Sequence, residues 1–164
     1  MDVPLQLPST SLRRLTQTAH HSPRIRGEQR GEKLQLDEAG QLPIVADAHR
    51  LQQVFWNLLS NAVKFTPASG RIELQLRRDT RMYAVSVTDT GSGIEEAMLP
   101  DVFKPFTKQL KANAQGLGLG LSIARHIVER HGGTIRVESA GRNAGATFHV
   151  ALPVPSHSAP DAAV

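Results

Sequence analysis

The chain has 164 residues, 40% hydrophobic and 21% charged, which fits one domain with a buried core and neither a disordered polyampholyte nor a membrane-embedded protein. With no cysteine it has no disulfide framework, thiolate metal site or cysteine nucleophile, and this usage points to a reducing, cytoplasmic setting. A formal charge of +4 with aromatics at only 4% argues against a nucleic-acid partner, because little is available for base stacking, and no apolar run approaches the roughly 20 residues of a spanning helix.

Residues 1–46 read as a strand-and-helix part of the same domain. They hold a strand at Val3 to Leu7, a polar helix from about Ser9, a strand at Lys33 to Leu36, and a turn at Asp37-Glu38-Ala39-Gly40 before Leu42 to Val45. Asp47 is the expected N-cap of a helix reaching about Phe65, where Pro67, Ser69 and Gly70 end it. Arg71 to Arg77 and Met82 to Asp89 alternate apolar and polar residues, so they form a hairpin through Asp79-Thr80. A short helical stretch over Glu95 to Phe103 leads into a polar segment, Thr107 to Gln115, with no apolar period. Gly116, Gly118 and Gly120 open a helix to His131, which Gly132-Gly133 closes. Strands at Thr134 to Glu138 and Ala146 to Leu152 flank a turn from Gly141 to Gly145, and 154–164 reads as a disordered tail or linker. Helices mixed with runs of antiparallel strands predict an α+β fold, a two-layer α/β sandwich with its core in 47–153.

Three constellations carry chemistry. On the helix after Asp47, Leu51, Val54, Phe55, Leu58 and Ala62 share one face, while Gln53, Asn57, Asn61 and Lys64 share another stripe. Asparagine is a poor helix former, so two of them one turn apart carry a cost that invites a role. Their amide oxygens suit Mg²⁺, which takes one or two protein oxygens beside phosphate and water. A merely solvated face is the competing reading. In Asp89-Thr90-Gly91-Ser92-Gly93-Ile94 a strand ends in a carboxylate before a glycine turn; that acceptor would select the adenine amine over the guanine carbonyl. An aspartic-protease reading fails for want of a second copy of the motif. Finally, Gln115-Gly116-Leu117-Gly118-Leu119-Gly120-Leu121 runs into a helix, where bare glycines leave backbone N–H groups for an anion. It matches neither the dinucleotide fingerprint nor the Walker phosphate loop. His126 and His131 sit about 140° apart on a helix, unlike a zinc pair, and no acidic residue follows His20-His21 to act as a base.

In order and spacing, Asn57 to Phe65, Asp89 to Ile94, Phe103 to Phe106 and Gly116 to Leu121 resemble the N box, first glycine box, F box and second glycine box of the ATP-binding catalytic domain of sensor histidine kinases. The resemblance implies the Bergerat-type fold shared with DNA gyrase, MutL and heat-shock chaperone ATPases, with helices on one face of a mixed, mostly antiparallel sheet. It implies ATP and Mg²⁺ as cofactors, Asn61 holding the metal with help from Asn57, and Lys64 meeting the phosphates. Phe65, Ile94 and Phe106 would belong to the nucleotide site, Asp89 would take the adenine amine, Gly91 and Gly93 would allow close approach, and Thr147 would complete the base pocket. Gly116, Gly118, Leu119 and Gly120 would receive the triphosphate. Where hydrolysing relatives carry a glutamate this chain has Asn57, and an amide takes no proton from water, so phosphoryl transfer is favoured over hydrolysis. The implied acceptor is a histidine on a separate dimerisation hairpin, with a response regulator downstream. A stand-alone serine kinase of the anti-sigma-factor type and a nucleotide-gated interaction module are the alternatives.

Overall fold

The computed structural model describes residues 9–12, 14–16, 31–36, 42–106 and 118–156. Its main sheet has five strands: β2 (Gly31–Leu36), β4 (Arg71–Arg78), β5 (Met82–Asp89), β7 (Ala146–Pro153) and β6 (Thr134–Glu138), in that spatial order. β2 runs parallel to β4 and every other neighbour is antiparallel, so the sheet is mixed and mostly antiparallel as expected. A two-stranded ribbon pairs β1 (Ser9–Ser11) with β3 (Pro43–Val45). The expected helix from Ser9 is therefore corrected: those three residues are strand, and helical backbone begins at Leu12. The strand at Val3 to Leu7, the turn at 37–40 and the segment from 107 to 117 lie outside the described residues.

Helix α1 (Ala48–Phe65) begins where the Asp47 side chain accepts the Arg50 N–H at 3.1 Å, the N-cap that an aspartate favours. Its buried stripe is Leu51, Val54, Phe55, Leu58, Leu59 and Ala62. This stripe meets the sheet face built from Ile72, Leu74, Leu76, Tyr83, Val85, Val87, Phe148, Val150 and Leu152. Period-2 alternation in the strands and a 3.6-residue period in the helix thus produce one core from two patterns. Leu12 and Leu15 join that core, and the buried Tyr83 hydroxyl donates to the Pro43 carbonyl at 2.8 Å, so the N-terminal ribbon is tied to β5.

Helix α2 (Gly120–Arg130) packs beside α1 and buries Ala124, Ile127 and Val128. It ends as the glycine pair predicts. Gly132 takes φ +73°, its N–H bonds the Glu129 carbonyl, and the Gly133 N–H bonds the Val128 carbonyl, both at 3.0 Å, which together make a Schellman cap. His131, just before the glycine pair, is structural: its Nε2 accepts the Asp47 N–H at 3.0 Å while Nδ1 sits 2.8 Å from the Ile127 carbonyl. The end of α2 is thereby pinned to the start of α1 through the imidazole ring. The stretch after the first glycine turn is a 3-10 helix, Glu96–Asp101, with Pro100 inside it.

Candidate functional site

Asp89 is the last residue of β5 and is 7% exposed. Strand alternation puts it on the core face, in register with Ile72 of β4 and Ala146 of β7. Burial pushes its carboxyl above the ordinary aspartate range, opposed by hydrogen bonds from the backbone of Gly91 and Ala146. The Gly91 N–H reaches Oδ1 at 2.9 Å. A buried carboxylate with two amide partners is an acceptor held in place at the mouth of the core.

The glycine turn after it is crowded enough to exclude side chains. A Cβ on Gly91 would sit 2.3 Å from the Phe65 carbonyl oxygen, and one on Gly93, where φ is +67°, would sit 1.9 Å from the Gly141 carbonyl oxygen. The loop is fastened on both sides: Ser92 N–H donates to the Phe65 carbonyl at 3.1 Å, and the Ser92 carbonyl accepts from Asn143 at 2.8 Å. Ile94 is buried behind it. The end of α1, the close of β5 and the β6–β7 turn therefore meet at one place.

The polar stripe of α1 faces the start of α2. The Asn57 amide donates to the Gly120 carbonyl at 3.0 Å across 63 residues of chain, which leaves its amide oxygen as an acceptor. Asn61 follows one turn on, half-buried, and Lys64 is exposed with Nζ 5.4 Å from the Phe65 ring centroid. Leu119 is the N-cap of α2; among the described residues no side-chain hydrogen bond caps that terminus, and its first turn holds no acidic residue. Amides at such an end are available to an anion. Hard amide oxygens, an adjacent cation and a helix N-terminus are a donor set that fits Mg²⁺ bound chiefly through phosphate oxygens. Among the described residues no cluster of three or more His, Cys, Asp or Glu could hold a metal ion.

Other expected site residues fall elsewhere. Thr147 is not brought to Asp89: it pairs with Thr88, the two hydroxyls 3.1 Å apart on the opposite face of the sheet, and Ala146 is the β7 residue across from Asp89. Phe106, expected in the nucleotide site, is 68% exposed with φ +61°, and its N–H donates to the Gly118 carbonyl at 3.1 Å. Phe103 does pack, edge-on to Phe148 with centroids 6.1 Å apart. Gly116 lies outside the described residues. Sequence reasoning passed over Ser139, Asn143 and Gly145, although the clustering of serine, asparagine and glycines in one turn was the available signal.

The pattern of a family described as "Histidine kinase-, DNA gyrase B-, and HSP90-like ATPase" matches residues 46–156. The adaptive-response sensory kinase SasA of Synechococcus elongatus is 40% identical over 132 residues, 79% of this chain and 34% of its own length. The chain thus spans about a third of that relative. Among solved structures, the catalytic domain of histidine kinase ThkA superposes with a TM-score of 0.79 at 29% identity, covering 92% of this chain and 99% of that one. ThkA in complex with its response regulator protein TrrA gives 0.75 at 28%, covering 91% of this chain and 42% of that one. Among the described residues no helix is long and apolar enough to cross a membrane.

Proposed function

This chain belongs to the histidine kinase-, DNA gyrase B- and HSP90-like ATPase family as a histidine kinase ATP-binding catalytic domain, and we propose that it transfers the γ-phosphoryl of Mg-ATP to a histidine on a separate helical hairpin. The observation that carries this reading is the Asn57 bond to Gly120, which sets the amide stripe of α1 against the N-terminus of α2, while the far end of the same helix meets the glycine loop after Asp89 through the Phe65 carbonyl. Asp89 accepts the adenine amine and excludes guanine, whose carbonyl would face a carboxylate. The α2 terminus receives phosphate oxygens, and Lys64 offsets their charge. Asn61 and Asn57 offer the amide oxygens for magnesium, which when bound supplies charge neutralisation on the phosphates.

The acceptor imidazole nitrogen forms the new bond to phosphorus as the bond from phosphorus to the ADP oxygen breaks, and ADP departs with the electron pair. The domain's contribution is alignment and electrostatics. Asn57 cannot take a proton, so water beside the γ-phosphate gains no base there and transfer outruns hydrolysis. By analogy with the complex of ThkA and TrrA, a response regulator is the downstream acceptor.

Incubation of the chain with labelled ATP and a separately purified hairpin bearing a phosphoacceptor histidine tests the reading. Wild type labels the hairpin, the label is lost in acid, and Asn61→Ala labels it not at all. Acid-stable label would indicate serine transfer instead, and nucleotide binding without label would leave only a gated interaction module.

A further inference from the structure

We propose that Ser139, just past the end of β6, is a positioning residue for the nucleobase end of the site, setting adenine selectivity without touching the nucleotide. The proposal rests on the reading that Asp89 takes the adenine amine, and it makes no use of the phosphate end. The Ser139 hydroxyl accepts the Ile94 N–H at 2.9 Å and the Gly141 N–H at 3.3 Å, and donates to the Gly145 carbonyl at 2.6 Å. One hydroxyl offers one donor and two acceptor sites, so its capacity is fully used.

An ordinary serine turn would need only the local bonds to Gly141 and Gly145. The bond to Ile94 reaches across 45 residues and fastens the glycine loop to the β6–β7 turn. Gly145 in turn lies directly under Asp89: a Cβ there would stand 2.0 Å from the Asp89 carbonyl oxygen, and its N–H donates to the Gly91 carbonyl at 3.2 Å. Ser139 thus joins the residue that closes the loop to the one packed against the Asp89 backbone. The same turn holds Glu95 through Arg142, with Nε 2.6 Å from Oε1. On the far side the loop is held by the Phe65 carbonyl, by Asp89 itself and by Thr90, whose N–H donates to the Arg71 carbonyl and whose hydroxyl accepts the Arg71 N–H. Without the hydroxyl, Ile94 N–H, Gly141 N–H and the Gly145 carbonyl lose a shared partner. The backbone bonds from Asn143 to Ser92 and from Gly145 to Gly91 remain, but the Ile94 end of the loop is released, and the Gly91 amide that bonds the Asp89 carboxylate is held less firmly.

The test is the ratio of ADP to GDP affinity, read by displacement of a fluorescent ADP analogue in Mg²⁺ from the full chain. Ser139→Ala is expected to weaken ADP about tenfold, the scale of one or two hydrogen bonds, with GDP changed by about twofold or less, and Ser139→Thr is expected to restore the wild-type ratio. A merely structural role would weaken both nucleotides together. Equal losses, or an unchanged ratio, would overturn the proposal. Asp89→Asn is measured alongside. If it collapses the ratio and Ser139→Ala does not, the proposal fails alone; if it leaves the ratio unchanged, the base reading fails and takes the proposal with it. Should Ser139→Ala not fold, Arg142→Ala decides: releasing Glu95 at an exposed position is expected to narrow the ratio about twofold, and no change would refute the role of the turn.

Discussion

Asp89 is where burial and chemistry meet most closely. Its raised pKa, caused first by burial, has a definite sign for folding. Between the ordinary aspartate value and the raised one the folded chain holds a proton that the unfolded chain has lost, so stability falls as pH rises through that window. An adenine amine donates to the ionised form, so nucleotide binding in the same window releases that proton. Calorimetry of ADP binding in two buffers of different ionisation enthalpy should give different apparent heats, and Asp89→Asn should abolish the difference. Asp89 was legible from sequence because a carboxylate at a strand end before glycine is a local pattern. The partner on β7 was not. Thr147 and Ala146 differ by one residue, and in a strand that step reverses the face, so only the register shows Ala146 opposite Asp89. Thr147→Ala is therefore expected to change ADP affinity by less than about twofold, the range of exposed-face changes. Ala146→Leu, which fills the base end, should lower it strongly in the same titration.

At the scale of elements, boundaries were readable wherever a cap enforces them. Asp47 and the Gly132-Gly133 pair mark helix ends that the structure reproduces, because capping is decided by the few residues at the terminus. The ribbon strand Ser9–Ser11 was hidden, since three polar residues carry no alternation and their partner, Pro43–Val45, is far along the chain. The glycine loop after β5 is the element on which binding depends. Gly91→Ala drives a methyl into the Phe65 carbonyl, an overpacking strain of about 1–3 kcal/mol. A lowered thermal midpoint together with lost ADP binding would check it. In the core, Leu58 is fully buried against the sheet, and Leu58→Ala should cost about 2–5 kcal/mol in denaturant unfolding while leaving base selectivity unchanged.

Over the whole molecule, two layers draw on four segments that are separate in sequence: α1, the end of β5, the start of α2, which meets α1 at Asn57, and the β6–β7 turn. The order of the first three was visible because each carries an unusual residue set. The fourth was read only as a turn, because its hydrogen bonds run to backbone atoms that no sequence pattern announces. The two-amide stripe of α1 and the N-terminus of α2 are proposed to form one magnesium-dependent nucleotide site. Isothermal titration with a non-hydrolysable ATP analogue addresses it most directly. Saturable binding at one site that is lost on chelating Mg²⁺, and that Asn61→Ala weakens by at least about tenfold (more than 1.4 kcal/mol), is the predicted result. Binding equally tight with and without the metal, or unaffected by Asn61→Ala, would contradict it.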